Sequence, residues 1–131
     1  NVLPERNADL RNRAAMANRW GADYFISIHT NSSVIPSAQG VEAYVYRLGG
    51  TAEELAQSIV DSVSDELGSV NRGVMAANFV VLRRTEMPAV LVELGYLSNP
   101  TEALNLNSPA WQRAVARAIF DGIVNYTGYP K

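Results

Sequence analysis

The pattern of apolar and polar positions divides the chain into helices that alternate with short apolar strands. From Asp9 to Trp20 apolar side chains recur with the helical period, and Gly21 provides an end for this helix. A second helix is predicted from Thr51 to Leu67, where apolar residues stand four apart before Gly68. Ser108 followed by Pro109 is typical of a helix start, and predicts a last helix that carries a stripe of apolar residues.

Apolar runs between these helices predict the strands, at residues 24–29, 41–46, 79–82 and 88–94. Their nearly continuous apolar character is typical of strands that are covered on both faces. The segment 95–107 is predicted to be a loop with one helical turn. Strands that alternate with helices favour one α/β domain, with an open, largely parallel twisted sheet and helices on both faces.

Composition narrows the possible functions. The chain has 131 residues, of which 47% are hydrophobic, enough for one domain with a real core. A formal net charge of −2 gives no basic surface, which argues against nucleic acid as a partner. No apolar run approaches the roughly 18 residues of a membrane span. Cysteine is absent, so disulfides and thiolate ligands are excluded.

The single histidine, His29, stands where an apolar strand gives way to a polar Thr-Asn-Ser-Ser loop. Ligands of open α/β sheets collect at this end of the strands, and a neutral imidazole is a natural zinc ligand. The alternative is a structural histidine with satisfied hydrogen bonds. One histidine does not hold a catalytic metal alone, so a metal site here needs carboxylates or ligands from elsewhere to complete it.

Glu93 interrupts the apolar run from Ala89 to Leu94. Burial of an ionised carboxylate without a partner is costly or raises its pKa. A carboxylate held in such a strand therefore indicates a metal, a cationic partner or a catalytic role. The alternative is an ordinary salt bridge to Arg83 or Arg84.

The remaining candidates are weaker. Arg83 ends the third predicted strand and either binds a substrate carboxylate or is a surface charge. Asn31 either orients the histidine or caps the following loop. Glu42 is interpreted as a sheet-edge or ion-pair residue rather than a ligand. Trp20 and Trp111 fall on the apolar stripes of helices and are predicted to lie in the core.

Four sequence blocks follow one another along the chain: Phe-Ile-Ser-Ile-His-Thr-Asn at 25–31, Gly-Val-Glu-Ala-Tyr at 40–44, Asn-Arg-Gly at 71–73 with Asn-Phe-Val-Val-Leu-Arg at 78–83, and Met-Pro-Ala-Val-Leu-Val-Glu-Leu-Gly-Tyr-Leu-Ser-Asn at 87–99. In this order they resemble the zinc-dependent N-acetylmuramoyl-L-alanine amidases of bacterial cell-wall turnover. The resemblance covers essentially the whole chain. Several blocks in the right order make it far more specific than one short motif.

The resemblance implies that His29 is a zinc ligand and Glu93 the catalytic carboxylate. Two further zinc ligands of that family, a histidine and a glutamate, lie upstream of anything present here, and no residue before His29 matches them. Residues 1–131 are therefore expected to be the C-terminal part of a single amidase catalytic domain. The expected fold is zinc-peptidase/phosphorylase-like, without its N-terminal strand and helix.

The implied reaction is hydrolysis of the amide bond between the lactyl group of N-acetylmuramic acid and the L-alanine of the peptidoglycan stem peptide. In that reaction zinc activates water and polarises the carbonyl, and Glu93 carries the proton to the leaving amine. The implied substrate is peptidoglycan or a muropeptide, and the implied location is extracellular, the cell wall or the periplasm. A separate cell-wall targeting domain is a compatible companion.

Two alternatives stay open at this point. A zinc peptidase or carboxypeptidase that acts on cell-wall peptides would share the same metal ligands and base. A degenerate, non-catalytic cell-wall binding domain would account for the absent upstream ligands, although it would have no use for a carboxylate inside an apolar strand.

Overall fold

A computed structural model describes residues 2–129 of the chain, with side chains from residue 4 onward. Helices and strands alternate along most of its length, as the apolar pattern predicts. The elements in chain order are α1 (Val2–Trp20), β1 (Phe25–Asn31), β2 (Val41–Val45), α2 (Thr51–Leu67), β3 (Asn71–Ala76), α3 (Val80–Arg83), β4 (Ala89–Tyr96), α4 (Pro100–Leu106) and α5 (Pro109–Thr127). None of the helices within this described range is both long and apolar enough to cross a bilayer.

The strands form one open sheet in the order β1-β4-β2-β3. β1 pairs with β4 in parallel, β2 pairs with β3 in parallel, and β2 runs antiparallel to β4. The expectation of an open, largely parallel sheet is therefore confirmed. Because β4 lies in the middle of the sheet, its C-terminal half is flanked by both β1 and β2.

Helices cover both faces of the sheet, which confirms the second part of the predicted fold class. Since side chains alternate along a strand, Val90 and Val92 of β4 face α2 and α5, where the larger core cluster forms around Leu55 and Ile59. Leu91 faces the opposite side, together with a smaller cluster contributed by α1, α3, β1 and β2. Burial of each large aliphatic side chain contributes about 1.5–3 kcal/mol, so the larger cluster dominates the stability of the fold.

The predicted third strand is wrong. Phe79 is the extended residue before α3, and the apolar residues that follow form that short helix with Val81 and Leu82 buried. A four-residue apolar run fits a buried strand and a buried helical turn equally well, and here tertiary packing decides. Arg83 consequently lies at the end of a helix and not at the end of a strand.

Two elements are not predicted from the sequence. The edge strand β3 carries few buried residues, so its sequence lacks the apolar alternation that identifies a strand. Helix α4 replaces most of the predicted loop at 95–107, because the Asn99 side chain accepts hydrogen bonds from the N–H groups of Thr101 and Glu102 and Pro100 occupies the first turn.

The two tryptophans have different environments. Trp111 packs against the larger core cluster, as predicted. Trp20 is 84% exposed, so its prediction as a core residue is wrong. It ends α1 beside β1, which is an edge strand of the described sheet, and Ile28 of that strand is also 55% exposed. Part of the apolar stripe of α1 is thus left uncovered by residues 2–129.

Candidate active site

The sheet brings four ionisable side chains into one row on the face covered by α1 and α3. In the strand register His29 lies opposite Glu93, and Glu93 lies opposite Glu42. Arg72 of β3 continues the row through an ion pair to Glu42, with Nε 3.1 Å from Oε1. Because directly paired residues project from the same face, the two candidates that stand 64 positions apart in the sequence become neighbours.

A groove of about 350 Å³ opens above His29 and Glu93. Its walls come from α1, with Arg6, Asn7 and Leu10, and from the start of α3, with Asn78, Phe79, Val80 and Val81. Phe79 is 39% exposed and packs edge-on against Tyr44, with 5.3 Å between ring centroids. The groove is therefore mostly apolar, with a few convergent polar groups, which is the usual character of a small-molecule or peptide site.

His29 is held in its neutral form. Its Nε2 lies 2.7 Å from the hydroxyl of Ser27, which precedes it by two residues and shares its face of β1. Burial first, and then the positive charges of Arg13 and Arg6, lower the pKa of His29. Only the neutral imidazole binds a metal, and Nδ1 has no hydrogen-bond partner among the described residues.

In the described part of the chain, Oε2 of Glu93 is the one buried side-chain nitrogen or oxygen without a hydrogen-bond partner. Burial, and to a lesser degree the negative charge of Glu42, raise its pKa to about 7. The salt-bridge alternative finds no support, since Arg83 donates instead to the Asn78 side chain at 2.6 Å. A group with these properties can accept and return a proton near neutral pH.

Glu42, in contrast to Glu93, accepts several hydrogen bonds. This side chain is only 2% exposed and accepts hydrogen bonds from Tyr44, from Tyr96 Oη at 2.5 Å, from Arg72 Nε at 3.1 Å and from Asn31 Nδ2 at 3.3 Å. Burial alone would raise its pKa, but the two phenol hydrogen bonds and the charge of Arg72 lower it. The prediction that Glu42 is an ion-pair residue agrees with this arrangement.

The two other predicted residues lie near the row without touching the reactive pair. Asn31 donates to Glu42 and accepts a hydrogen bond from the Ser32 N–H, so it caps the loop and does not orient His29. Arg83 reaches the site only through Asn78, at the rim of the groove.

Sequence reasoning missed Arg72, Tyr44 and Tyr96. Tyr44 could have been identified from the sequence, because it shares a strand face with Glu42. Tyr96 could not have been identified in this way, because the pairing of β1 with β4 shifts register after His29, where Asn31 pairs with Tyr96. Such a bulge moves the following residues to the other face, and it is what turns Tyr96 towards Glu42.

The metal-binding capacity of these residues is incomplete. Within residues 2–129, no three side chains of histidine, cysteine, aspartate or glutamate come together in a way that could hold an ion. His29 is a suitable single ligand, and a metal centre would need further ligands from outside this range.

The unsatisfied Glu93 oxygen predicts a pH-dependent cost to stability. Because the folded-state pKa of about 7 lies above the ordinary 4.5, the folded protein retains a proton that the unfolded chain releases, and the free energy of unfolding falls as pH rises between these values. In the metal-free protein, Glu93→Gln should therefore raise the free energy of unfolding by about 2 kcal/mol at pH 8 and by little at pH 4.5. Urea denaturation at both pH values measures this, with the exposed Glu86→Gln as control. Equal effects at the two pH values would contradict it.

The chain also resembles known proteins in sequence and structure. Residues 1–125 match the family model described as N-acetylmuramoyl-L-alanine amidase. A probable cell wall amidase, LytH of Staphylococcus epidermidis, is 39% identical over 104 residues, which are 79% of this chain and 35% of that protein. The crystal structure of an N-acetylmuramoyl-L-alanine amidase from Clostridium difficile 630 superposes with a TM-score of 0.86 and 34% identity, over 93% of this chain and 67% of that one.

The CwlD amidase of Clostridioides difficile, solved in complex with the GerS lipoprotein, matches with a TM-score of 0.92 and 27% identity over 98% of this chain and 66% of that chain. The chain spans 35–57% of the length of the relatives LytH of S. epidermidis and YqiI of Bacillus subtilis. The family match extends over nearly all of the sequence, including both strands that carry His29 and Glu93. The chain belongs to the N-acetylmuramoyl-L-alanine amidase family.

Proposed function

We propose that this chain is the C-terminal part of the catalytic domain of a zinc-dependent amidase. Its reaction is hydrolysis of the amide bond between the lactyl group of N-acetylmuramic acid and the L-alanine of the peptidoglycan stem peptide. The observation that carries the proposal is the buried, unpartnered oxygen of Glu93 beside a neutral His29 at the floor of an open groove. Family membership supports the same reaction.

His29 is the metal ligand that this chain contributes. The Ser27 hydroxyl beside Nε2 fixes the ring and leaves Nδ1 for the metal. A zinc ion, when bound, supplies Lewis-acid polarisation of the amide carbonyl and of the attacking water. Its other ligands come from outside the described residues, as the resemblance to the family implies.

Glu93 is the general base and then the general acid. Its carboxylate accepts a proton from the attacking water and returns it to the nitrogen of the departing L-alanine. A pKa of about 7 suits both steps, because the carboxylate can take up the proton and release it at neutral pH.

We assign binding of the stem peptide to residues at the rim of the groove. Arg83, which donates to Asn78, is proposed to bind a carboxylate of the stem peptide, and Asn31 is proposed as a second substrate contact. A peptidoglycan substrate places the activity in the cell wall, outside the cytoplasmic membrane. A separate targeting domain for the wall would be consistent with this location.

Mass spectrometry of digested peptidoglycan tests the function. Treatment with the complete protein should release peptides with a free L-alanine amino group and leave muramic acid with a free lactyl carboxyl group. Release of C-terminal amino acids with the lactyl amide intact would show a carboxypeptidase instead. Binding to peptidoglycan without any new product would show a non-catalytic domain. Either of the last two results would overturn the proposal.

A further inference from the structure

Glu42 is a buried carboxylate that the proposed reaction leaves without a task. It stands directly opposite Glu93 in the β2–β4 pairing, on the same face of the sheet. Like charges in such positions destabilise a sheet. Four donors, one of them the ion-paired Arg72, nevertheless surround Glu42, while Glu93 has a buried oxygen without any donor among the described residues.

Two of those donors are phenol hydroxyls, and each has a single proton to give. Both Tyr44 and Tyr96 direct it to Glu42. Burial first, and then the hydrogen bond to Glu42, raise the pKa of Tyr96 to about 12, and the same causes raise that of Tyr44. Both groups therefore stay protonated and remain donors at neutral pH.

The same hydroxyls lie near Glu93. Both hydroxyls donate to Glu42, which stands directly opposite Glu93, and Tyr44 pairs with Leu91, two residues before Glu93 on the same face of β4. If Glu42 did not accept these protons, Glu93 would be the adjacent carboxylate able to do so. A hydroxyl bonded to the Glu93 carboxylate would occupy a lone pair that could otherwise receive the proton of water.

Other residues hold Glu42 in this position. Arg72 donates through Nε to Oε1 and lies over the Tyr96 ring, with its guanidinium carbon 5.4 Å from the ring centroid. The stem of Arg72 passes over Gly40, where a Cβ atom would lie 3.0 Å from two of its carbons and 2.6 Å from the Val70 carbonyl oxygen. The carboxylate is thus anchored from the β3 side of the row, away from the groove.

We propose that Glu42 is a positioning residue of this site, which binds the hydroxyl protons of Tyr44 and Tyr96 and thereby keeps the Glu93 carboxylate free of a competing donor. This inference rests on the proposed amidase function. It assigns different roles to two neighbouring carboxylates: Glu42 is permanently occupied by donors, and Glu93 has none among the described residues.

The test is a rescue experiment in the complete protein. In Glu42→Gln, Oε2 is replaced by an amide nitrogen that no longer accepts from Tyr44, so the Tyr44 proton is free to turn to Glu93. We expect kcat for a soluble muropeptide to fall about 10- to 100-fold, with KM and zinc content unchanged. Glu42→Gln combined with Tyr44→Phe should recover at least about 5-fold of that loss, because the competing hydroxyl is gone. Tyr46→Phe serves as control, because Tyr46 follows the end of β2 and is 36% exposed.

A purely structural role for Glu42 predicts the reverse, since removal of a second hydrogen-bonding group would leave the double variant no more active than Glu42→Gln. That result, or an unchanged kcat in Glu42→Gln, would overturn the inference. If Glu42→Gln does not fold, Glu42→Asp keeps the charge for Arg72 but shortens the reach to Tyr44, and the same comparison with and without Tyr44→Phe decides. Absence of lactyl release by the wild-type protein, in contrast, would overturn the proposed function itself.

Discussion

Glu93→Gln should reduce turnover by about 10²- to 10⁴-fold while the complete protein keeps its zinc. The substitution preserves the size of the side chain and its place in β4, where neighbouring residues are buried. It removes only the capacity to take a proton from water and return it to the leaving amine. Because Glu93 is proposed as a base and not as a ligand, metal content and KM should change little.

Lactyl release from a defined muropeptide and the zinc content of the same samples measure this prediction. Glu86→Gln is the matched control, because Glu86 is an exposed glutamate in the loop before β4. Muropeptide cleavage at the wild-type rate would remove Glu93 from the mechanism. Loss of zinc together with activity would instead assign Glu93 to the metal.

The meeting of His29 and Glu93 could be predicted because it depends on the sheet alone. Two apolar strands that each end on a polar, ionisable residue tend to place those residues at a common edge. Their parallel pairing in register does so here. This prediction needs no knowledge of loops or of side-chain packing, and it does not depend on which element residues 79–82 form.

The surroundings of Glu42 could not be predicted in this way. Arg72 lies on an edge strand that has no fully buried residue, so periodicity gives no signal for it. Tyr96 faces Glu42 only after a register shift in β4, and a one-residue shift that reverses the face of a strand has no mark in the apolar pattern. The sequence therefore indicated the ionisable residues of this row only on strands with a regular apolar pattern and an unshifted register.

His29→Ala should have the second large effect, with loss of zinc and of amidase activity together. The lowered pKa of His29 keeps the ring neutral, which is the ligand form, and the Ser27 hydroxyl fixes its orientation. Removal of a ligand from a small set should weaken zinc binding by more than the roughly 10- to 100-fold that loss of a supporting residue causes.

Three substitutions on β1 distinguish a zinc ligand from a residue that only orients the ligand. Ser27→Ala, which removes only the group beside Nε2, should weaken zinc binding within that 10- to 100-fold range. Thr30→Ala, an exposed residue next to His29, should leave zinc affinity unchanged. Competition with a chelator measures all three variants of the complete protein. Stoichiometric zinc in His29→Ala would contradict the ligand assignment, whereas a graded loss from Thr30 through Ser27 to His29 would place the metal at this ring, since only direct coordination makes the imidazole more important than the hydroxyl that orients it.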